Sequence, residues 1–211
     1  MMNHDKIIKE VDDYYSEKVR TFGATAKGVD WNSEESQQLR FEQLSKVIYD
    51  DREFNILDYG CGYGSLYEYL KGRFNSFHYS GYDISKEMLG KAKIKFEGNN
   101  AVFTDHIETI EKYNYVIASG IFNVKLNNSD ENWMDYVTDT IQTMNLLSTN
   151  GFSFNILTKY SDKEFMKDNL YYADPCYWFD YCKRNISKYV SLLHDYPLYE
   201  FTILVKKFNN K

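Results

Sequence analysis

The amino-acid sequence predicts an α/β fold with a doubly wound, mostly parallel sheet. From residue 53 onward, short apolar runs alternate with segments of helical periodicity, which is typical of parallel strands joined by crossover helices. A glycine-rich turn at 60–64 follows the first apolar run. The last two apolar segments, 187–195 and 199–207, are joined by a tight Tyr196-Pro197 turn. They predict a terminal antiparallel hairpin.

The first 50 residues predict a helical cap ahead of the sheet. Residues 4–18 form a polar helix whose apolar positions at helical spacing are Ile7, Ile8, Val11 and Tyr15. Residues 21–32 contain two glycines and predict a loop. Ser33 is a suitable N-cap for a second helix, because its oxygen can accept a hydrogen bond from a first-turn N–H group. The apolar stripe of that helix is Leu39, Phe41, Leu44, Val47 and Ile48.

The rest of the chain predicts five strand and helix units and the closing hairpin. The predicted strands are 54–59, 77–83, 100–104, 113–119 and 151–157. The predicted helices between them are 64–73, 85–96 and 130–147. We find no linker, so we predict a single domain over 1–211, with the cap at 1–50 and the core at 53–211.

Composition excludes several classes of protein. With 43% hydrophobic and 27% charged residues, the 211-residue chain is neither disordered nor low in complexity. The balance of 25 Lys and Arg against 31 Asp and Glu, a net charge of −6, argues against sequence-independent nucleic-acid binding. The sequence shows no signal peptide or membrane span. Its three cysteines (Cys61, Cys176 and Cys182) indicate no disulfide framework or metal site, so we predict a cytoplasmic protein.

The segment LDYGCGYGSL at 57–66 carries the strongest functional signal. Asp58 ends a predicted strand, and three glycines follow at the entry to a helix. Glycine permits a tight turn and lets a ligand approach the backbone closely. Asp83 closes the next strand, 19 positions beyond Gly64, where a carboxylate can accept both hydrogen bonds of a ribose diol. These features predict an adenosine-type ligand.

Two departures from the dinucleotide-binding fingerprint narrow the choice of ligand. Ser65 occupies the position where that fingerprint has its third glycine. The negative charge of Asp58 would oppose a pyrophosphate but suits a ligand that carries an ammonium and a sulfonium. S-adenosylmethionine has both groups, which disfavours a nicotinamide-dependent reductase.

Residues 54–158 resemble the class I S-adenosylmethionine-dependent methyltransferases, which have a Rossmann-like fold. Their first motif, acidic-x-G-x-G-x-G, is matched by Asp58, Gly60, Gly62 and Gly64. The resemblance implies that Asp83 binds the ribose, that Ile84 contacts the adenine and that Asp105 lies near the adenine amine. It places the segment with Ser119, Gly120, Ile121 and Asn123 beside the methionine moiety and the methyl group. The candidate cofactor-binding residues are Trp31, Asp58, Tyr59, Gly60, Cys61, Gly62, Gly64, Asp83, Ile84, Asp105, His106, Ser119 and Gly120.

The acceptor is less strongly indicated than the cofactor. The tetrapeptide [DNS]PP[YFW], which accompanies methylation of DNA bases or glutamine, is absent after the fourth strand. Residues 14–44 and 191–207 are similar to small methyltransferases of bacterial capsule and lipopolysaccharide gene clusters. This likeness implies O-methylation of a sugar, a nucleotide-sugar or a phosphate-bearing intermediate of surface polysaccharide. An N-methyltransferase of a small amine and a non-catalytic S-adenosylmethionine-binding protein stay open as alternatives.

Several residues are candidates for the acceptor side. His194, at the end of the penultimate strand, is our first candidate for a general base and His106 the second, since the ordinary pKa of histidine suits a base near neutrality. Tyr14, Tyr15, Arg20 and Trp31 are predicted to form a lid over the crevice. Asn123, and Tyr177 in the aromatic segment 171–184, are predicted to contact the acceptor. The alternatives are a solvent-exposed turn for His194, a helix cap for Asp105 and ordinary packing for the aromatic residues.

Overall fold

A computed structural model describes residues 2–23, 25, 33–50, 52–106 and 112–208. The helices are α1 (Met2–Phe22), α2 (Glu34–Ser45), α3 (Ser65–Lys71), α4 (Lys86–Lys95), α5 (Asp130–Leu147) and α6 (Pro175–Asn185), with a short 3-10 helix at Lys163–Phe165. The strands are β1 (Phe54–Tyr59), β2 (Phe77–Tyr82), β3 (Ala101–Thr104), β4 (Tyr113–Ala118), β5 (Ser148–Leu157), β6 (Tyr189–Leu193) and β7 (Glu200–Lys206).

Seven strands form one sheet in the order β3-β2-β1-β4-β5-β7-β6. The pairs among β1 to β5 are parallel, and β7 runs antiparallel to both β5 and β6. The predicted mostly parallel α/β sheet with an antiparallel C-terminal hairpin is therefore confirmed. The second strand of the hairpin pairs with β5, so β6 lies at the edge of the sheet.

Helices cover both faces of the sheet. Along β4, Val116 and Ala118 pack with side chains of α1, α5 and α6, whereas Tyr115 and Ile117 pack with side chains of α2, α3 and α4. Successive side chains of a strand point to opposite faces, so a strand covered on both sides becomes a continuous apolar run. This burial explains why the central strands show no polar alternation.

A buried polar chain links the helical cap to the sheet. Arg40 of α2 lies with its Nε 2.5 Å from Oε1 of Glu200, at the start of β7. Asn155 of β5 donates its side-chain N–H to Glu200 and accepts a 2.8 Å hydrogen bond from the backbone N–H of Gly120. The contacts attach α2, β5 and β7 to the loop that follows β4.

The main difference from the prediction is α6. Residues 175–185 form a helix, since Asp174 caps it by accepting a 2.9 Å hydrogen bond from Cys176 N and Pro175 fits the first helical turn. Trp178 and Cys182 are fully buried on its inner face. Much of the aromatic segment therefore belongs to the core. Helix α1 is also longer than predicted, and most of the predicted loop at 21–32 lies outside the described residues.

Other predictions concern features of the whole chain. Within the described ranges, no helix has the length and apolar character needed to cross a membrane. No cluster of His, Cys, Asp or Glu side chains in those same ranges could hold a metal ion. All three cysteines are free thiols. The cytoplasmic location and the division into cap and core stay predictions.

We predict that Gly90→Ala stabilises the protein. Gly90 lies exposed in the middle of α4, and a Cβ there would meet nothing within 4 Å. Glycine costs a helix interior about 0.5–1 kcal/mol relative to alanine, so the free energy of unfolding should rise by about that amount. Urea denaturation measures it. The neighbouring exposed Lys91→Ala is the control and should change stability by less than about 0.5 kcal/mol. A destabilised Gly90→Ala variant would contradict the placement of this helix.

Candidate functional site

The glycine-rich turn after β1 is attached to the end of β2. The carbonyl oxygen of Tyr82 accepts hydrogen bonds from Gly60 N at 2.8 Å and from Cys61 N at 2.9 Å. Gly60, Gly62 and Gly64 all have positive φ angles, of 81°, 53° and 82°. A Cβ on Gly60 would also come within 2.3 Å of Ile121 Cγ2. Both the backbone conformation and the close approach therefore require glycine at residue 60.

The carboxylate of Asp83 joins this turn to the turn after β2. One oxygen accepts a hydrogen bond from Gly62 N at 2.7 Å, and the other accepts one from Ser85 N at 2.8 Å. Burial raises the pKa of Asp83 to about 6, while these backbone N–H groups oppose the rise by stabilising the ionised form. Asp83 is thus the structural connection between two crevice loops.

Asp58 is the second carboxylate of the site. Its side chain is buried at the end of β1, where it accepts a 2.6 Å hydrogen bond from the hydroxyl of Tyr79. Burial raises its pKa to about 7, and the negative charge of Asp83 adds to the rise. The two carboxyl groups are therefore at their most negative only above neutral pH, and a bound cation would favour their ionised forms.

A first cavity lies at the carboxyl ends of β1, β2 and β4. Its volume is about 110 Å³. Its described lining includes two carboxylates, Asp58 and Asp83, and no lysine or arginine. Ser119 Oγ is buried in this wall without a hydrogen-bond partner among the described residues. The cavity thus offers acidic groups and a polar oxygen that suit a cationic ligand.

Helix α1 covers the first cavity. Val11 and Tyr15 contribute to its wall. Ser16 Oγ lies 2.8 Å from Ser85 Oγ, and Arg20 forms an ion pair with Glu87 of α4. These contacts hold α1 against the start of α4, so α1 occupies the position of a lid.

A second, larger cavity of about 1050 Å³ adjoins the first. Tyr15 and Gly120 line both of them. The second cavity is bordered by α1, by the loop before α6 and by the turn between β6 and β7. Seven aromatic side chains from these segments line it: Tyr14, Tyr15, Phe22, Phe165, Tyr172, Tyr196 and Tyr199.

Comparison with known proteins decides the family. Residues 56–141 match the protein family described as a methyltransferase domain. A protein of Mycobacterium tuberculosis (strain ATCC 25618 / H37Rv) named "Putative methyltransferase Rv1506c" is 52% identical over 155 residues, which are 73% of this chain and 93% of that protein. This chain belongs to the S-adenosylmethionine-dependent methyltransferases. The predicted methyltransferase family and its cofactor are confirmed. The likeness to enzymes of capsule and lipopolysaccharide gene clusters stays a prediction.

Solved structures show the same fold for this methyltransferase. Magnesium protoporphyrin IX methyltransferase ChlM of Synechocystis PCC 6803 with bound SAH has a TM-score of 0.65 and 16% identity, covering 94% of this chain and 99% of that chain. The complex of DhpI with SAH has a TM-score of 0.63 and 13% identity, covering 95% and 96%. At these identities the likeness concerns the architecture alone.

The first cavity of the methyltransferase has the chemistry that S-adenosylmethionine requires. The glycine turn is a cradle that a side chain at residue 60 would obstruct. Its two carboxylates would suit a cofactor that carries an ammonium and a sulfonium. The unpartnered Ser119 oxygen lies in the same wall, among the residues described.

The structure brings most of the predicted cofactor residues together. The following ones line the first cavity: Asp58, Tyr59, Gly60, Cys61, Gly62, Asp83, Ile84, Ser119, Gly120 and Ile121. Gly64 lies within the same turn. Tyr14, Tyr15 and Asn123 line the second cavity. Asn123 also has a structural role, because its side-chain oxygen accepts a 3.1 Å hydrogen bond from Leu157 N.

Asp105 and His106 lie elsewhere. Neither is among the residues that line the first cavity. The carboxylate oxygens of Asp105 lie 3.2 Å from His106 Nε2 and 3.7 Å from Lys86 Nζ. His106 is exposed. Their contact with the adenine stays a prediction, and Ile107 and Trp31 fall outside the described residues.

Three further candidates are not among the residues that line either cavity. His194 is exposed at the end of edge strand β6, four strand spacings or about 19 Å from β1. It contacts the rings of Tyr160 and Phe201 instead. Tyr177 is exposed on α6, and Arg20 pairs with Glu87. Strand order and helix orientation determine these positions, and local sequence pattern specifies neither. The predicted roles of the three residues stay predictions.

Sequence reasoning missed several lining residues. Val11, Gln37, Phe41, Met88 and Tyr136 contribute to the first cavity. Lys18, Arg40, Lys167 and Tyr196 contribute to the second. The sequence shows the apolar stripes of the first two helices. It does not show that these helices pack over the crevice.

We predict that Asp58→Asn weakens cofactor binding and removes part of the pH dependence of folding. Because the folded-state pKa is raised, the stabilising contribution of Asp58 is present below about pH 4 and is lost as pH rises through about 7. The melting temperature of the variant should thus fall less than that of the parent between pH 5 and 8. Affinity for S-adenosylhomocysteine at pH 8 should drop at least about tenfold, since a charged partner is lost. Calorimetry measures both quantities.

Asp180→Asn is the matched control for Asp58→Asn, because Asp180 is an exposed aspartate of α6 that pairs with Arg184. It makes the same change of charge outside the wall of the first cavity. We expect its affinity for S-adenosylhomocysteine to stay within twofold of the parent at every pH. Equal losses in the two variants would contradict the assignment of Asp58 to the cofactor cavity.

Proposed function

We propose that this methyltransferase transfers a methyl group from S-adenosylmethionine to a hydroxyl of a small sugar-containing acceptor in the second cavity. The observation that carries the proposal is the shared border of the two cavities at Tyr15 and Gly120. A donor held in the first cavity and an acceptor held in the second would meet there. The acceptor would be a sugar, a nucleotide-sugar or a phosphate-bearing intermediate of surface polysaccharide.

On the donor side, each proposed role follows from position. Asp58, at the end of β1, would bind the ammonium group. Asp83, at the end of β2, would accept hydrogen bonds from the ribose hydroxyls through the lone pairs that its backbone contacts leave available. Ile84 would pack on the adenine, and Ser119 Oγ would offer a hydrogen bond to the methionine moiety. The cofactor supplies an electrophilic methyl group on a sulfonium.

The contribution of this chain to the rate is mainly positional. Alignment of nucleophile, methyl carbon and sulfur requires two fixed partners, and such orientation is worth roughly 7–11 kcal/mol of the barrier. The loop after β4 is fixed by the 2.8 Å hydrogen bond from Gly120 N to the buried Asn155. Helix α1 places Val11 and Tyr15 over the first cavity and would exclude water from it. The rigid border and the lid together support group transfer.

The wall of the second cavity favours a ring-bearing acceptor. Tyr172 and Tyr196 line it together with Tyr199, whose hydroxyl is hydrogen-bonded to Asp162. Aromatic faces pack well against the apolar C–H faces of a sugar ring. A volume of about 1050 Å³ accommodates a ligand larger than a monosaccharide, such as a nucleotide-sugar. The likeness of 14–44 and 191–207 to enzymes of polysaccharide gene clusters supports the same class.

The proposal is tested by a screen of acceptors. The full chain is incubated with S-adenosylmethionine and a panel of sugars, sugar phosphates, nucleotide-sugars and small amines. Mass spectrometry then measures S-adenosylhomocysteine and the methylated product. We expect release of S-adenosylhomocysteine with at least one hydroxyl acceptor of the sugar class. Turnover with amines alone would show that the enzyme is an N-methyltransferase and not an O-methyltransferase. Binding of S-adenosylmethionine without turnover on any acceptor would indicate a non-catalytic cofactor-binding protein.

We predict that His194→Ala and His106→Ala each retain most of the parent activity. Both side chains are exposed and lie outside the walls of the two cavities. An acceptor hydroxyl can lose its proton to water in the open second cavity once the new bond forms, so neither histidine is required as a base. The measured quantity is kcat over pH 6–9 with an acceptor found in the screen. Gly60→Ala, which would obstruct the cradle, provides the inactive comparison. A loss of a hundredfold or more in His194→Ala would restore the histidine as the base.

A further inference from the structure

The buried polar chain of the core ends at the border of the two cavities. Gly120 lines both cavities, and its backbone N–H donates a 2.8 Å hydrogen bond to the side-chain oxygen of Asn155 on β5. The side-chain N–H of Asn155 donates in turn to the carboxylate of Glu200 on β7. Neither Asn155 nor Glu200 is among the residues that line either cavity.

The chemistry of each group fixes the orientation of the chain. The Gly120 N–H can only donate, so the oxygen of the Asn155 amide faces the loop after β4. The amide nitrogen then requires an acceptor, which Glu200 supplies. Burial raises the pKa of Glu200, while Arg40 and Asn155 favour its ionised form. The Asn155 amide therefore cannot rotate without losing both of its contacts.

Packing of the core does not require these polar groups. Asn155 and Glu200 are fully buried. On β5, Asn155 lies between the buried Phe154 and Ile156, and on β7 the buried Phe201 follows Glu200. A buried charge pair often contributes no more stability than apolar side chains of similar volume. Departures from the apolar pattern of a core are expected mainly at functional sites.

The other end of the chain lies on helix α2. Arg40 forms the ion pair with Glu200 and lines the second cavity. Gln37 and Phe41 of the same helix line the first cavity. The chain thus connects a helix that borders both cavities to the loop where the cavities meet.

The contact with Asn155 also fixes the peptide unit between Ser119 and Gly120. The N–H of Gly120 and the carbonyl group of Ser119 belong to one planar trans peptide, in which they point in opposite directions. Because the N–H is directed at Asn155, the Ser119 carbonyl oxygen is directed away from it. Ser119 lines the first cavity, so this contact determines the shape of the wall next to the border.

We propose that Asn155 is a positioning residue for methyl transfer, held by Glu200 and acting through Gly120. It lines neither cavity, so it would not touch either substrate. This inference rests on the proposed function, which places the transferred methyl group at the border lined by Tyr15 and Gly120. Alignment of the reacting atoms is sensitive to shifts of about 1 Å, so a released loop would lower the rate more than the affinity.

The main test follows the methyl group of the bound cofactor and needs no acceptor. The full chain is saturated with S-adenosylmethionine that carries carbon-13 in its methyl group, and the methyl resonance is recorded by NMR. In the parent we expect one sharp resonance displaced from that of the free cofactor. In Asn155→Leu, which offers no acceptor to the Gly120 N–H, the resonance should broaden or move toward the free value. The affinity for S-adenosylhomocysteine should stay within about threefold of the parent's.

Amide hydrogen exchange measures the loop itself. Labelling with carbonyl carbon-13 serine and nitrogen-15 glycine selects the two Ser-Gly pairs of the chain, Ser80-Gly81 and Ser119-Gly120. The Gly120 amide should exchange slowly in the parent and at least about tenfold faster in Asn155→Leu, because its hydrogen bond is lost. Gly81 lies within β2 and serves as the internal reference, which should not change.

Kinetics give a third measurement with any acceptor found in the screen. In Asn155→Leu, kcat should fall at least about tenfold, whereas KM for the acceptor should change by less than about threefold. A loss that lies in KM alone would contradict a positioning role.

Ser153→Ala is the matched control. Ser153 lies two positions earlier on β5, is equally buried, and donates a 2.9 Å hydrogen bond to the carbonyl oxygen of Leu44 on α2. Its removal should leave the methyl resonance and the Gly120 amide as in the parent. If Asn155→Leu does not fold, Asn155→Ala is measured in the same way, because the smaller side chain leaves room for water.

The outcomes separate this inference from the proposed function. Rapid exchange of Gly120 in the parent, a parent-like methyl resonance in the Asn155 variant, or equal changes in Ser153→Ala would overturn the positioning role. Turnover of a sugar acceptor would leave the proposed function intact in each of these cases. Turnover with amines alone would instead overturn O-methylation, and the methyl resonance would still decide the role of Asn155.

Discussion

The two hydrogen bonds that the Asp83 carboxylate accepts hold the site together. Gly62 N belongs to the turn after β1 and Ser85 N to the start of α4, so one side chain joins segments that the sheet alone does not connect. Hydrogen bonds to a charged group contribute about 1.5–3 kcal/mol each, enough to determine the shape of a short glycine turn. The same carboxylate would hold the ribose, and therefore the geometry of the turn and the affinity for the cofactor depend on one ionised group.

Burial of two carboxyl groups in this site costs electrostatic free energy. Two carboxyl groups share a partly dry cavity, and burial raises the pKa of Asp58 to about 7 and that of Asp83 to about 6. A bound cation would offset part of the cost of burying these charges and would favour the ionised forms of both carboxyl groups. Perturbed carboxyl groups of this kind are typical of functional sites. In the second cavity, by contrast, the buried Arg40 already has its partner in Glu200.

Much of the fold was predictable because its signals are local. The apolar runs of β1 and β4, the glycines of 60–64 and the caps of the helices act within a few residues, and the structure has these elements near the predicted positions. The position of Asp83 followed from its place at the end of a strand.

Side chains whose location depends on distant contacts could not be placed in the same way. His194 illustrates the difference, because the order of β5, β7 and β6 puts it at the sheet edge. Lys18 illustrates the same difference, because it reaches a cavity only through the docking of α1 on α4.

Helix α1 contributes to both cavities. It supplies Val11 to the first, Lys18 to the second and Tyr15 to both. Any displacement of this helix would therefore alter both walls at once, so occupancy of one cavity and occupancy of the other would be coupled.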